Sequence, residues 1–171
     1  MTPPRLDPYD ILTDVRHNIA LHGWNTIEVG PQPNKTPGWV YTQGMKTHQH
    51  PDLIMFGLVP SLALPLLAAM YQRICQGQEY TPGQVYTPVP NVPVIPVRVD
   101  PSWLWSYCVV TLALYGCLHE PSEAPFLQLV YPDRNGYWPG DTRCNAAVQR
   151  LPRLGWSVDE VMSIKKGPPS A

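Results

Sequence analysis

Residues 39–58 read WVYTQGMKTHQHPDLIMFGL, two strand-like runs joined by a short loop that holds two of the five histidines. Trp39, Tyr41 and Gln43 alternate up to Gly44, and an uncharged run leaves from Leu53. The alternation predicts a half-buried strand and the uncharged run a fully buried one, which puts the polar loop between them at the margin of a sheet. Polar groups on such a loop are held from both ends, and chemistry is expected there.

Around this centre the chain has 171 residues, 15% of them charged and 44% hydrophobic, and 22 are proline. That composition is globular, and the prolines imply many loops and irregular edges. The length suits one domain over 1–171, with a core over about 7–156 and a short C-terminal helix and tail over 157–171. Lys plus Arg number 12 against 13 Asp plus Glu, and no basic cluster exceeds Lys165-Lys166, so nucleic acid is not an expected partner. None of the four cysteines, Cys75, Cys108, Cys117 and Cys144, comes in CxxC spacing, and MTPPRLDPYD lacks a signal-peptide pattern. A reducing cytoplasm with free, mostly buried thiols is expected. The uncharged run Leu53 to Gln72 is long enough to span a bilayer, but Gly57, Pro60, Ser61 and Pro65 read as a strand, a turn and a helix start, so no membrane partner is expected.

In chain order, Asp7-Pro8 opens a helix with Leu12, Val15 and Ile19 on one face, and Gly23 stops it. Trp24 to Val29 pairs with the Trp39 strand as a long-looped antiparallel hairpin. A second helix runs from about Ser61 or Leu64 to Gln76, its inner stripe being Leu66, Met70 and Ile74. From Tyr80 to Asp100 five prolines leave only Val94 to Val99 able to pair, at an edge. Asp100-Pro101 starts a third helix, Ser102 to about Tyr115, ended by Gly116. Phe126 to Tyr131 is a strand that Asn135-Gly136 can reverse toward Tyr137 and Trp138. Ser157 to Glu160 looks like a capping box, with Lys165, Lys166 and Gly167 closing a short helix. The expected class is α+β: a small mixed or antiparallel sheet of about five strands against three main helices, with a short C-terminal helix.

His48, His50 and Asp52 recur at every second position, which in extended backbone points them to one side. A zinc or iron site would need further ligands from His17, His119 or Asp133, and the spacing matches no specific metal motif, so neither metal nor cofactor is expected. Acid/base work suits the loop better: His50 titrates near neutrality, Asp52 or Asp133 can orient it, and Tyr41 and Thr42 supply hydroxyls. Against this, Asp52 equally fits a turn role after Pro51. Cys144 beside Arg143 has the cation that activates a thiol, but no paired histidine. Trp138, with Tyr131, Arg134 and Tyr137, is expected at a hairpin tip lining a pocket rim or a protein interface.

The segments DVRHNIALHGWNTIEV, GWVYTQGM, HPDLIMFGL, VDPSW and QLVYPDRNGYWP, in that order, resemble the bacterial family called domain of unknown function 4262, over roughly Asp10 to Pro139. The most specific pieces fall on Tyr41, Thr42 and Gly44, on His50, Pro51 and Asp52, and on Gln128, Pro132 and Asp133. Gln49 stands where that family commonly has Gly, and His48 lies outside its pattern. The resemblance implies a small cytoplasmic bacterial or phage protein and brings no established reaction.

The leading expectation is a pocket for a small polar molecule, for binding or for acid/base chemistry, made by Tyr41, Thr42, His50 and Asp52 with Gln128 and Asp133 from the later hairpin. His50 would be the base and would face Asp133 across a shared cleft. The alternative is a protein-interaction module, such as an immunity or inhibitor protein, using Trp138, Tyr137, Arg134 and the proline-rich edge.

Overall fold

A computed structural model describes residues 8–34 and 36–166. The architecture is α+β around an open mixed sheet of six strands, in the order β1 (Asn25–Val29), β2 (Trp39–Gln43), β3 (Asp52–Phe56), β6 (Phe126–Val130), β5 (Val92–Arg98), β4 (Tyr86–Val89). Helix α1 (Pro8–His22) leads into the antiparallel pair β1 (Asn25–Val29) and β2 (Trp39–Gln43). Gly23 ends α1 with φ 82. The expected cap at Asp7 and the stop at Gly167 lie outside the described residues.

A 3-10 turn, Met45–His48, follows β2, and β3 (Asp52–Phe56) returns antiparallel to it. Helix α2 (Pro60–Cys75) crosses one face of the sheet. It buries Ala63, Leu66, Leu67, Met70 and Ile74 against Val40, Leu53, Met55, Leu127 and Leu129. On the opposite face, Tyr41, Ile54, Phe56 and Phe126 pack on α3 (Leu104–Tyr107) and α4 (Val109–Tyr115) through Leu104, Cys108 and Leu112. Both faces of β3 are therefore covered, which is why DLIMF carries apolar residues without alternation.

The third helix of the sequence reading is broken at Cys108, whose φ of −134 and ψ of 30 leave the helical region. Its ends are as expected. Asp100 accepts the Ser102 amide at 2.9 Å, and Gly116 closes α4 with φ 70.

The proline-rich stretch departs more. It forms a hairpin, β4 (Tyr86–Val89) and β5 (Val92–Arg98), and β5 lies inside the sheet between β4 and β6 (Phe126–Val130) rather than at its edge. The missing proline amides explain how. In a strand the N–H and C=O of one residue point to the same side. Pro96 turns its carbonyl toward Gly83, whose amide it accepts at 2.9 Å, and so its nitrogen faces the β4 side after the β4 ladder has ended at Val94. Pro93 has the opposite parity and faces the β6 side before that ladder begins at Ile95. Each proline stands where no partner needs its hydrogen.

Strands β3 and β6 run parallel, with Asp52 opposite Phe126. After β6, Asn135-Gly136 makes its turn, closed by the Asp133 amide on Tyr137 O at 2.9 Å, but no strand follows. The chain instead lays Trp138 into a third cluster with Ile95, Val97, Val130, Trp156 and Val161. A short α5 (Ala146–Gln149) and α6 (Val158–Lys166) complete the layer, and Ser157 Oγ accepts the Glu160 amide at 3.2 Å as the capping box requires. No described helix is long and apolar enough to cross a membrane.

Candidate functional site

Asp52, the first residue of β3, turns its carboxyl away from solvent, with 2% of the residue exposed. Three donors meet it. Thr42 donates its hydroxyl to Oδ1 at 3.0 Å, the Met45 amide donates to Oδ1 at 3.3 Å, and Tyr115 donates its hydroxyl to Oδ2 at 2.6 Å. Each hydroxyl also accepts a backbone amide, Thr42 from Leu53 at 2.9 Å and Tyr115 from Gly44 at 2.8 Å. The bend between β2 and β3 leaves these amides outside the ladder, and the two side chains satisfy them.

Glycine at position 44 is part of the device. Its φ is 103, and a Cβ there would stand 2.9 Å from the Gly23 carbonyl oxygen, so only glycine lets the turn approach α1 this closely.

Burial pushes the Asp52 carboxyl up to about 7, against the hydrogen bonds of Tyr115, Met45 and Thr42 and the charge of Lys46, which hold it down. Tyr115 is raised in turn by its own burial and by the carboxylate beside it. Cys108 is raised by burial and then by Asp52, and Tyr41 by burial and then by Cys108. Tyr41 otherwise packs edge-on to Phe126, ring centres 6.3 Å apart, among apolar neighbours.

A cleft of about 290 Å³ opens beside Tyr115. Arg16, Ile19 and Ala20 of α1 line one side, Gly44 and Thr47 the second, and Leu114 and Tyr115 the third. Lys46 places its ammonium 5.1 Å from the centre of the Tyr115 ring. A larger cavity of about 550 Å³ lies at the far end of the β1–β2 hairpin, between Val29, Trp39 and Val59. Among the described residues Glu28 is the only ionisable side chain lining it, so the smaller cleft, walled by the tyrosine bonded to Asp52, is the better site for chemistry.

His50 is not part of that cleft. Its Nδ1 lies 2.7 Å from Pro51 O and its Nε2 accepts the Tyr80 amide at 3.1 Å, which assigns the proton to Nδ1 and leaves neither nitrogen for a substrate. Burial lowers its pKa, although the Pro51 carbonyl and Glu79 pull the other way. His50 ties the loop before Tyr80 to the sheet. The alternation expected of His48, His50 and Asp52 is lost, because Gln49 has φ 56 and the backbone is not extended. His48 approaches Cys75, His50 approaches Tyr80, and Asp52 approaches Tyr115. Among the described residues no three of His, Cys, Asp and Glu converge.

Gln128 and Asp133 do not join Asp52 either. Because β3 and β6 are parallel, His50 precedes one end of the pair while Asp133 follows the other, a strand length of roughly 16 Å or more away. Gln128 is engaged through both ends of its amide: it donates to Pro152 O at 2.7 Å and accepts from the Leu154 amide at 3.1 Å and Trp156 Nε1 at 2.8 Å. Asp133 accepts the amides of Asn135, Tyr137 and Asn145 at 2.9, 3.0 and 2.8 Å. Burial pushes its pKa up, but these amides prevail and hold it below the usual value. Both residues organise the chain that follows β6. Trp138 is 4% exposed, a core residue rather than a rim. Arg143 is engaged by Asp141 at 2.8 Å, and the Cys144 thiol is pushed up by burial, Asp133 and Asp141, so that cation does not activate it.

Tyr115 is the residue that sequence reading passed over. It reads there as the last residue of an apolar helix before its Gly116 stop, and the one available signal was a hydroxyl at the end of the stripe formed by Cys108 and Leu112. No curated protein and no solved structure matches this chain. A family model does match, over residues 18–145, a span that takes in Gly44, Asp52, Tyr115, Gln128 and Asp133. The chain belongs to that family, described as a domain of unknown function, DUF4262.

Proposed function

We propose that the cleft beside Tyr115 binds a small anionic molecule and that Asp52, through Tyr115, exchanges a proton with it. The observation that carries this is the 2.6 Å bond between a carboxyl titrating at about 7 and a tyrosine that lines the cleft. A catalytic acid or base works best with a pKa near the ambient pH. When Asp52 is protonated its O–H can donate to Tyr115, which frees the tyrosine hydrogen for a ligand; when it ionises, Tyr115 turns back to it. Arg16 on the cleft wall and Lys46 beside the ring favour an anion. His50, Gln128 and Asp133 support the scaffold in this reading. A cytoplasmic setting fits, since all four cysteines are free thiols.

Calorimetric titration with a panel of small carboxylates and phosphates, in two buffers of different ionisation heat, tests the reading. A ligand should bind with net proton transfer near neutral pH. Tyr115→Phe or Asp52→Asn should abolish the transfer, and Arg16→Gln should weaken binding about tenfold. A panel without any binder, or binding indifferent to Arg16→Gln and Tyr115→Phe, would discard it.

A protein-interaction role is the second reading, and a different surface favours it. Trp103, Trp105 and Val109 are 42%, 50% and 44% exposed within one short segment. Aromatic residues of this kind anchor interfaces. Trp103→Ser with Trp105→Ser should then abolish retention of a stoichiometric partner while leaving folding intact, and unchanged retention would count against it.

A further inference from the structure

Cys75, the last residue of α2, is exposed, whereas Cys108, Cys117 and Cys144 are 0%, 2% and 8% exposed. Its Sγ lies 3.7 Å from His48 Nε2, hydrogen-bonding distance for sulfur. The imidazole is held there by more than the thiol. Gln49 closes the 3-10 turn with its amide on Lys46 O at 3.0 Å, and the Tyr71 ring meets His48 edge-on at 5.7 Å. Tyr71 is itself fixed, stacked on Trp24 at 5.0 Å and 13° and donating its hydroxyl to His22 O at 3.3 Å. A surface thiol therefore faces an exposed base whose ring rests edge-on against Tyr71, the pairing that converts a thiol into a nucleophile.

We propose that Cys75 and His48 form a thiol-exchange site that takes a low-molecular-weight disulfide. The Cys75 thiol proton passes to His48 Nε2, and the thiolate attacks one sulfur of the disulfide RS–SR. The Cys75–SR bond forms as the RS–SR bond breaks, and the departing thiolate takes the proton back from the imidazolium as RSH. Cys75 is oxidised, half of the disulfide is reduced, and no other reactant is needed. The site is independent of the Asp52 cleft, and its residues are not those assigned there.

The test is the rate of mixed-disulfide formation on the full chain with 2-hydroxyethyl disulfide, a neutral probe, the adduct being located by peptide mass. Cys75 should carry the first adduct, and Cys75→Ser should abolish it. His48→Phe keeps a ring against Tyr71 but removes the base, and His48→Gln replaces it with a neutral amide. Both should slow the reaction about tenfold at neutral pH while near-UV circular dichroism stays native, since an unassisted thiol is only a few per cent ionised there. A native rate in either variant, or a first adduct at Cys108, Cys117 or Cys144, would overturn the proposal.

Discussion

Tyr115 Oη donates a 2.6 Å hydrogen bond to Asp52 Oδ2, joining residues 63 positions apart in the chain. Through it the end of α4 is fastened to the start of β3, and the Gly44 amide, donating to the same hydroxyl at 2.8 Å, fastens the turn that precedes them. Tyr115→Phe removes two bonds, one of them to a buried carboxyl. A destabilisation of about 2–4 kcal/mol in urea at neutral pH is expected, and a change below about 0.5 kcal/mol would contradict this account of the pair.

The carboxyl also writes a pH dependence into stability. An unfolded aspartate releases its proton near 3.8, whereas folded Asp52 keeps it to about 7. Between those values the folded chain holds more protons than the unfolded one, so this group's contribution falls as pH rises through the window and is constant above it. The full shift corresponds to on the order of 4 kcal/mol. Asp52→Asn, which mimics the neutral acid, should lack this slope and be the more stable protein at about pH 8. Urea midpoints of the two proteins at about pH 5 and about pH 8 measure it, and parallel profiles would refute it.

His50 works in the opposite direction. Its pKa is lowered from 6.5, so its contribution is complete above that value and is lost as pH falls toward the folded-state pKa. The imidazole resonance of His50 should accordingly titrate with a midpoint below 6.5 by NMR. Charging Nε2 would set a second hydrogen against the Tyr80 amide that it now accepts at 3.1 Å. His50→Ala, which orphans that amide, should cost about 1–3 kcal/mol.

Gln128→Leu keeps the volume and removes the clasp. The amide of Leu154, the indole N–H of Trp156 and the carbonyl of Pro152 would all lose their partner. A loss of about 3–5 kcal/mol is expected, together with red-shifted tryptophan emission as Trp156 loosens. Unchanged emission with unchanged stability would show that the segment is held by its apolar contacts alone.

What the sequence determined by itself was local. Gly23 and Gly116 end their helices, Asp100 and Ser157 cap theirs, the β1–β2 hairpin pairs, and β3 is buried, because each of these follows from side-chain periodicity or from the backbone chemistry of a few adjacent residues. The interior place of β5 could not be read, since a proline is excluded from a ladder only on the side its nitrogen faces, and sequence does not say which neighbour stands there. The site was half legible: Thr42, Gly44 and Asp52 lie on the stretch that the reading singled out, while Tyr115 is supplied by a helix from later in the chain. Only the tertiary structure separated His50 from Asp133 and turned Trp138 into the core. The first outcome depends on the parallel pairing of β3 with β6 and the second on β5 lying beside β6, contacts between distant segments whose direction no local pattern encodes.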